Sequence, residues 1–179
     1  MPSLRLVTGA ALGFAAGLAL PHARKAVMQG PSIAAGDWMD ALIAEHRMVQ
    51  ALFEKLLNTG DDQAAQRELL LTQIAYALTK HGIEEENVIY PALSETSHAN
   101  EARQLVQEHG DIKTFIYDLR RMPSSDTAWL YRAKEFSDHV DHHIREEEEE
   151  IFPVFRDAMP PEENAKLTRM LNWEGFKVA

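Results

Sequence analysis

The stretch HIREEEEEIFP, His143–Pro153, is written a second time in the chain as HGIEEENVIYP, His81–Pro91. Both copies begin with His, carry Glu at the fifth and sixth positions, and close on Ile, an aromatic residue and Pro without a gap. A second pair of segments repeats with them: LIAEHRMVQALFEKL from Leu42 and LVQEHGDIKTFIYDL from Leu105. The offsets are 62 and 63 residues, so the chain reads as two copies of one helix-helix unit. Each copy has EH on its first helix and HxxxE on its second.

Apolar residues around these motifs recur at the helical period. Trp38, Leu42, His46, Val49, Phe53 and Leu56 form one face of an amphipathic helix, with Asp37 as its N-cap and Asn58 to Asp62 as its end. A second predicted helix runs from about Gln63 to Tyr90, with Leu70, Ile74, Ala77, His81, Glu85 and Val88 on its stripe, and Pro91 stops it. The third covers His98 to Met122, with Leu105, His109, Ile112 and Leu119 facing inward. The fourth spans Ser125 to Asp157, with Phe136, Val140, His143, Glu147, Ile151 and Val154 on its stripe, and a short C-terminal helix follows Pro160-Pro161. No segment alternates with period two. The predicted fold is therefore all-α, an up-down-up-down antiparallel four-helix bundle over residues 37–157, built from the repeats 37–93 and 98–157. Residues 31–36 read as a linker and 158–179 as the tail helix.

The first thirty residues differ in kind. Residues 6–20 form an uncharged run, LVTGAALGFAAGLAL, in which Gly9, Gly13 and Gly17 make a small-residue ridge on a predicted extra N-terminal apolar helix. The run falls short of the roughly 20 apolar residues of a spanning helix. Arg24-Lys25 and the missing polar segment argue against a cleaved secretory signal. Membrane attachment or helix-helix association through residues 6–20 is one role this segment suggests, and an Ala/Gly-rich stretch that packs on its own domain is the other, on a chain read as cytoplasmic rather than secreted. The net charge of −10 argues against a nucleic-acid partner, because phosphates require clustered Lys and Arg. With no cysteine, disulfides and thiolate metal sites are excluded.

The repeat selects among the glutamates. His143 and Glu147, like His81 and Glu85, are four apart and so share one helical face. Glu146, Glu148 and Glu149 point sideways or outward and read as solvated, while Glu150 is matched by Val88 in the other copy. A lone histidine on an apolar face is usually a satisfied core residue, and a charge run is usually a solvated face. Here, however, His46, His81, His109, His143, Glu85 and Glu147 all fall on inward stripes in matching halves. Carboxylates on a core face are costly unless compensated, and neutral nitrogen plus anionic oxygen ligands are what a metal supplies that compensation to. Six ligands exceed a tetrahedral zinc site and suit two iron ions, with manganese the lesser alternative.

At these residues the chain resembles the hemerythrin family, specifically bacterial hemerythrin-like HHE cation-binding domains, from about Asp37 to Phe155. The resemblance implies a four-helix bundle holding a non-haem di-iron centre, with Glu85 and Glu147 as bridging carboxylates and His46, His81, His109 and His143 as terminal ligands. Oxygen-carrying members have five histidines, two of them four apart on the third helix, and Leu105 stands where the extra one would be. His139, one turn before His143, could supply a fifth ligand or a hydrogen bond to one. His142, His22 and His98 have no place in the pattern. The expected function is to bind or sense dioxygen, a related small oxidant or iron itself. A di-iron enzyme acting on peroxide or nitric oxide is the alternative, although no separate acid, base or nucleophile calls for one. A membrane-tethered or oligomerising stress-response interaction module is the third reading.

Overall fold

The computed structural model describes residues 34–178. Expectations for residues 1–33, including the N-terminal apolar helix and most of the linker, lie outside the described residues. Among those described, no helix is long and apolar enough to cross a membrane.

The elements are α1 (Trp38–Leu57), α2 (Ala64–Glu84), a π-helical turn π1 (Glu85–Ile89), α3 (Tyr90–Ser94), α4 (Ala99–Arg121), α5 (Thr127–Arg145), a second π-helical turn π2 (Glu146–Ile151), α6 (Phe152–Ala158) and α7 (Pro161–Val178). The segments α2-π1-α3 and α5-π2-α6 are each one continuous rod. With α1 and α4 they make the four-helix bundle, in which α1 packs on α2 and α5, and α4 on α5 and α2. Short connections make the neighbours antiparallel. α7 is a fifth helix laid on α1, α2 and π1.

Caps start the helices where the sequence offers them. Asp37 accepts from the backbone N–H groups of Met39 and Asp40 at 3.0 and 3.1 Å, and Asp126 from Ala128 at 2.9 Å. Gly36, at φ 132°, makes the bend into α1 in a region that favours glycine. At the loop end of the bundle, buried Arg67 donates to Thr59 Oγ1, Gly60 O and Ser124 O, tying the α1–α2 connection to the α4–α5 connection.

Two helix-scale expectations change. Pro91 does not stop the second rod, because the turn before it has widened: Tyr90 N–H bonds Glu85 O, five residues back. Proline lacks an N–H and crowds the carbonyl four residues earlier, and a wide turn accommodates both. Phe152 N–H bonds Glu147 O in the same way ahead of Pro153. The extra residue also rotates the stripe. Val154, expected inward, is 53% exposed, and Phe152 and Phe155 are buried instead.

The apolar interior is divided into two clusters. One, at the loop end, centres on Phe53, Ile74, Trp129 and Phe136. The other, toward α7, contains Trp38, Leu42, Tyr90, Leu105, Phe152 and Leu171. The repeated histidines and glutamates form the layer between them.

Candidate metal centre

Each rod or helix of the bundle contributes to that layer once per repeat. α1 supplies His46, α2 and π1 supply His81 and Glu85, α4 supplies His109, and α5 and π2 supply His143 and Glu147. All six are buried. The Nε2 atoms face each other in pairs, His46 to His81 at 2.9 Å and His109 to His143 at 3.2 Å.

The two carboxylates lie between the pairs. Glu85 Oε1 is 3.1 Å from His81 Nε2, and its Oε2 is 3.3 Å from His109 Nε2. Glu147 Oε2 is 3.3 Å from His46 Nε2, and its Oε1 is 3.5 Å from His143 Nε2. Each carboxylate therefore turns one oxygen to either pair. Donor atoms of His46, His81, Glu85 and Glu147 converge within 4.8 Å of one another, and so do those of Glu85, His109 and His143. Glu85 Oε1 and Glu147 Oε2 are buried and accept no hydrogen bond of good geometry. Buried carboxylate oxygens whose nearest polar neighbours are imidazole nitrogens in poor hydrogen-bond geometry cost several kcal/mol, roughly, unless a cation or proton compensates them, so this set fits a metal.

The outer nitrogens of all four histidines are held by a further ring of carboxylates. Nδ1 of His46 meets Glu148 at 2.8 Å, that of His81 meets Glu45 at 3.2 Å, that of His109 meets Glu86 at 2.9 Å, and that of His143 meets Glu108 at 2.7 Å. An Nδ1–H donated to a carboxylate fixes the ring and leaves Nε2 free for a metal. Glu148, expected in solvent, is instead half-buried between His46 and Arg47, because its side chain reaches across to α1. The repeat contained this signal: Glu45 matches Glu108 in EH, and Glu86 matches Glu148 at the sixth position of the longer motif. Lys80, also buried, holds Glu45 and Glu84 at 2.5 and 2.8 Å.

Tyr90, read in the sequence only as the aromatic residue of the ending before Pro91, enters the site. Its buried hydroxyl stands 2.6 Å from Glu147 Oε1, 3.2 Å from Glu85 Oε2 and 3.1 Å from His109 Nε2. The matching position in the second copy is Phe152, so the centre is asymmetric. His139 joins neither donor group. Its ring packs against Phe115 at 5.4 Å, and its buried Nε2 has no hydrogen-bond partner. His142 and His98 remain at the surface beside Glu146 and Glu101.

The electrostatics follow from burial beside anions. Burial alone lowers a histidine pKa, but the Glu147 charge and the Glu108 hydrogen bond reverse this and raise His143 to about 9. His81 is raised well above its ordinary value against the same burial effect, by Glu85 and Glu45. Burial pushes Glu85 up, yet His81 and His109 outweigh it and hold the carboxyl well below the usual range. Tyr90 is raised well above 10.0 by burial and by the Glu147 and Glu85 charges, so its hydroxyl keeps its proton.

The chain matches the hemerythrin HHE cation binding domain family over residues 39–155. A solved structure of a hemerythrin HHE cation binding domain-containing protein from Mycobacterium kansasii superimposes with a TM-score of 0.70 at 19% identity, covering 80% of this chain and 87% of that one. A protein named DNA nickase from Nostoc sp. (strain PCC 7120) is 27% identical over 138 residues, which are 77% of this chain and 39% of that protein. The chain thus spans about two-fifths of that relative's length.

Proposed function

The chain belongs to the hemerythrin HHE cation-binding family, and from that premise we propose that it is a non-haem di-iron protein that binds or senses dioxygen, a related small oxidant, or iron itself. The observation that carries the reading is the way Glu85 and Glu147 each direct one oxygen toward His46 and His81 and the other toward His109 and His143. His46, His81, His109, His143, Glu85 and Glu147 would hold the two ions, whose charge would compensate the buried carboxylates. Nitrogen and carboxylate donors without sulfur suit iron, with manganese second.

When bound, a pair of iron ions supplies electrons and open coordination positions for a small oxidant. The chain's own residues do the rest. Glu45, Glu86, Glu108 and Glu148 orient the imidazoles, and the apolar clusters on either side limit water. Tyr90, protonated and 2.6 Å from Glu147 Oε1, can donate a hydrogen bond inside the layer. That hydroxyl favours a second reading, in which the same centre turns over peroxide or handles nitric oxide as an enzyme. A net charge of −10 opposes contact with nucleic-acid phosphates.

The test is metal content per chain on freshly purified protein, read with the ultraviolet-visible spectrum before and after oxidation. About two irons are expected, with most of the metal lost in Glu85→Ala and Glu147→Ala and little lost in Glu149→Ala. Glu148→Ala should fall between, weakening metal affinity by about 10- to 100-fold. Absence of iron after anaerobic reconstitution would refute the reading. Excess peroxide given to the loaded protein separates its two forms: a binder consumes about one equivalent per centre, whereas an enzyme turns over.

A further inference from the structure

Beyond the histidines, on the side away from Tyr90, lies a cavity of about 80 Å³. Its walls are His46, His81, His109 and His143 at one end and apolar side chains, Val49, Leu78, Ile112 and Val140 among them, at the other. A water's share of liquid volume is about 30 Å³, so there is room for a molecule of a few heavy atoms. An apolar lining penalises any ion that must shed its hydration to enter.

The two-fold repeat shows where such a molecule gets in. By repeat symmetry the bundle has two equivalent seams beside the cavity, one between α1 and α5 and one between α2 and α4. On the α1–α5 seam, Ile144 fills the wall and is 2% exposed. Outside it, Gln50 donates to Asp141 at 3.0 Å, and Arg47 reaches Gln50 at 2.8 Å and Glu148 at 2.6 Å. The residues matching Ile144, Arg47, Gln50 and Asp141 on the other seam are Gly82, Gly110, Lys113 and Thr79. Gly82 puts no side chain in the wall, and a Cβ added at Gly110 would meet nothing within 4 Å. Thr79 and Lys113 are exposed and Ile83 is half-buried, although all three line the cavity. Lys113 Nζ crosses the seam to Glu86 Oε1 at 2.9 Å, and both residues line the cavity at its rim.

We infer that the cavity has its mouth on the α2–α4 seam, at Thr79, Gly82, Ile83 and Lys113, and that the missing side chain at Gly82 admits small uncharged molecules to the histidine layer. The sister seam is closed by Ile144 and its polar cover. Gly82 is thus a specificity-determining position. The inference rests on the proposed di-iron centre only for what the entering molecule meets there.

The experiment uses two probes on the protein as purified and on variants. Xenon, under pressure in a crystal and by exchange in solution, reports the cavity whether or not iron is present. Nitric oxide, mixed rapidly with the reduced iron-loaded protein, reports the rate of arrival. Gly82→Ile should slow nitric oxide association on the order of tenfold or more at unchanged iron content, and Ile144→Gly added to it should restore the rate. Because a Cβ at Gly82 would lie 3.4 Å from His109 Nδ1, Ile83→Trp provides a second block at the mouth, away from that ring. Unchanged association in both blocking variants with iron retained would overturn the inference, as would a cavity that takes no xenon. Protein without iron in which Gly82→Ile still slows xenon exchange would leave the mouth standing and remove the centre. If the variants lose iron, their xenon exchange decides: slower exchange supports the mouth, and unaltered exchange overturns it.

Discussion

Glu147 and Glu148 are neighbours in one run of glutamates, yet one faces both histidine pairs and the other grips the outside of a single ring. The difference arises because neighbouring residues leave a helical turn on different sides, so only one of the two lies on the core stripe. These environments give the metal-free centre a definite pH response. His143 has a folded pKa raised to about 9 from an ordinary 6.5, and His81 is raised as well. A raised value means that protonation stabilises the fold. That contribution is fully present below pH 6.5 and is lost as pH climbs through about 9. Metal reverses the sign, since it takes the place of those protons and is bound more tightly as they leave. Thermal melts of chelator-treated and iron-loaded protein across this range should show Tm falling with pH in the first and holding or rising in the second. Parallel curves would mean that the imidazoles are not the groups a metal displaces. At this scale the sequence was most informative where the repeat matched residues on one helix, and it placed His46, His81, Glu85, His109, His143 and Glu147 on inward stripes. It was least informative for contacts between helices, such as Glu148 to His46, and for Tyr90, whose difference from Phe152 was visible while its neighbours were not.

The four rods were legible in the sequence because caps, apolar spacing and loops agreed, as at Asp37 and Asn58; the Asp126 cap of α5 came only with the structure. The π turns were not legible, because a helical wheel assumes a constant advance per residue. Each begins within one residue of the carboxylate it carries, at Glu85 and Glu147. Widening the backbone there lets the rod present both the carboxylate and, five residues on, the ring of Tyr90 or Phe152 to the same interior. Deleting exposed Asn87 should allow the first turn to close to the ordinary helical pattern. Because the wide turn holds one residue more than an ordinary one, the residues after it would keep their places, with Tyr90 N–H still on Glu85 O, while Glu86, Val88 and Ile89 would redistribute over the shorter turn. Loss of iron without a lowered Tm is the expected result, measured by metal analysis and calorimetry, because Glu85 and Glu86 lose the wide turn that aims them at the histidines. A deletion variant that keeps its iron would show that the wide turn has no part in aiming them.

At the scale of the whole molecule the two repeats are not treated alike, and α7, which packs on α1, α2 and π1, is one reason. It docks on the first repeat through Leu167 and Leu171, through Trp38 Nε1 to Asn164 Oδ1 at 2.8 Å, and through Tyr76 Oη to Val178 O at 2.8 Å. Asn87 meets Glu174 farther along the same rod. Between Tyr76 and Asn87, at helical spacing, lie Lys80 and Glu84, both fully buried. Burial and the Glu45 charge push the Glu84 carboxyl up to about 8, and Lys80 binds both glutamates. The matching residues in the second repeat, His142 and Glu146, remain partly open to solvent with side chains 60% and 20% exposed. The support of His81, which runs from Lys80 through Glu45, is therefore dry, whereas that of His143 through Glu108 is partly wet. Placing a charge in the α7 contact, with Leu171→Asp, should cost about 3 kcal/mol or more and undock the helix. Trp38 emission would move to the red as its pocket opens. Water reaching Lys80 and Glu45 would loosen His81 before His143, so a chelator should remove iron in two steps, with one ion leaving early. Iron leaving in a single step from an undocked variant would mean that α7 only adds stability and that the two halves of the centre are held independently of it.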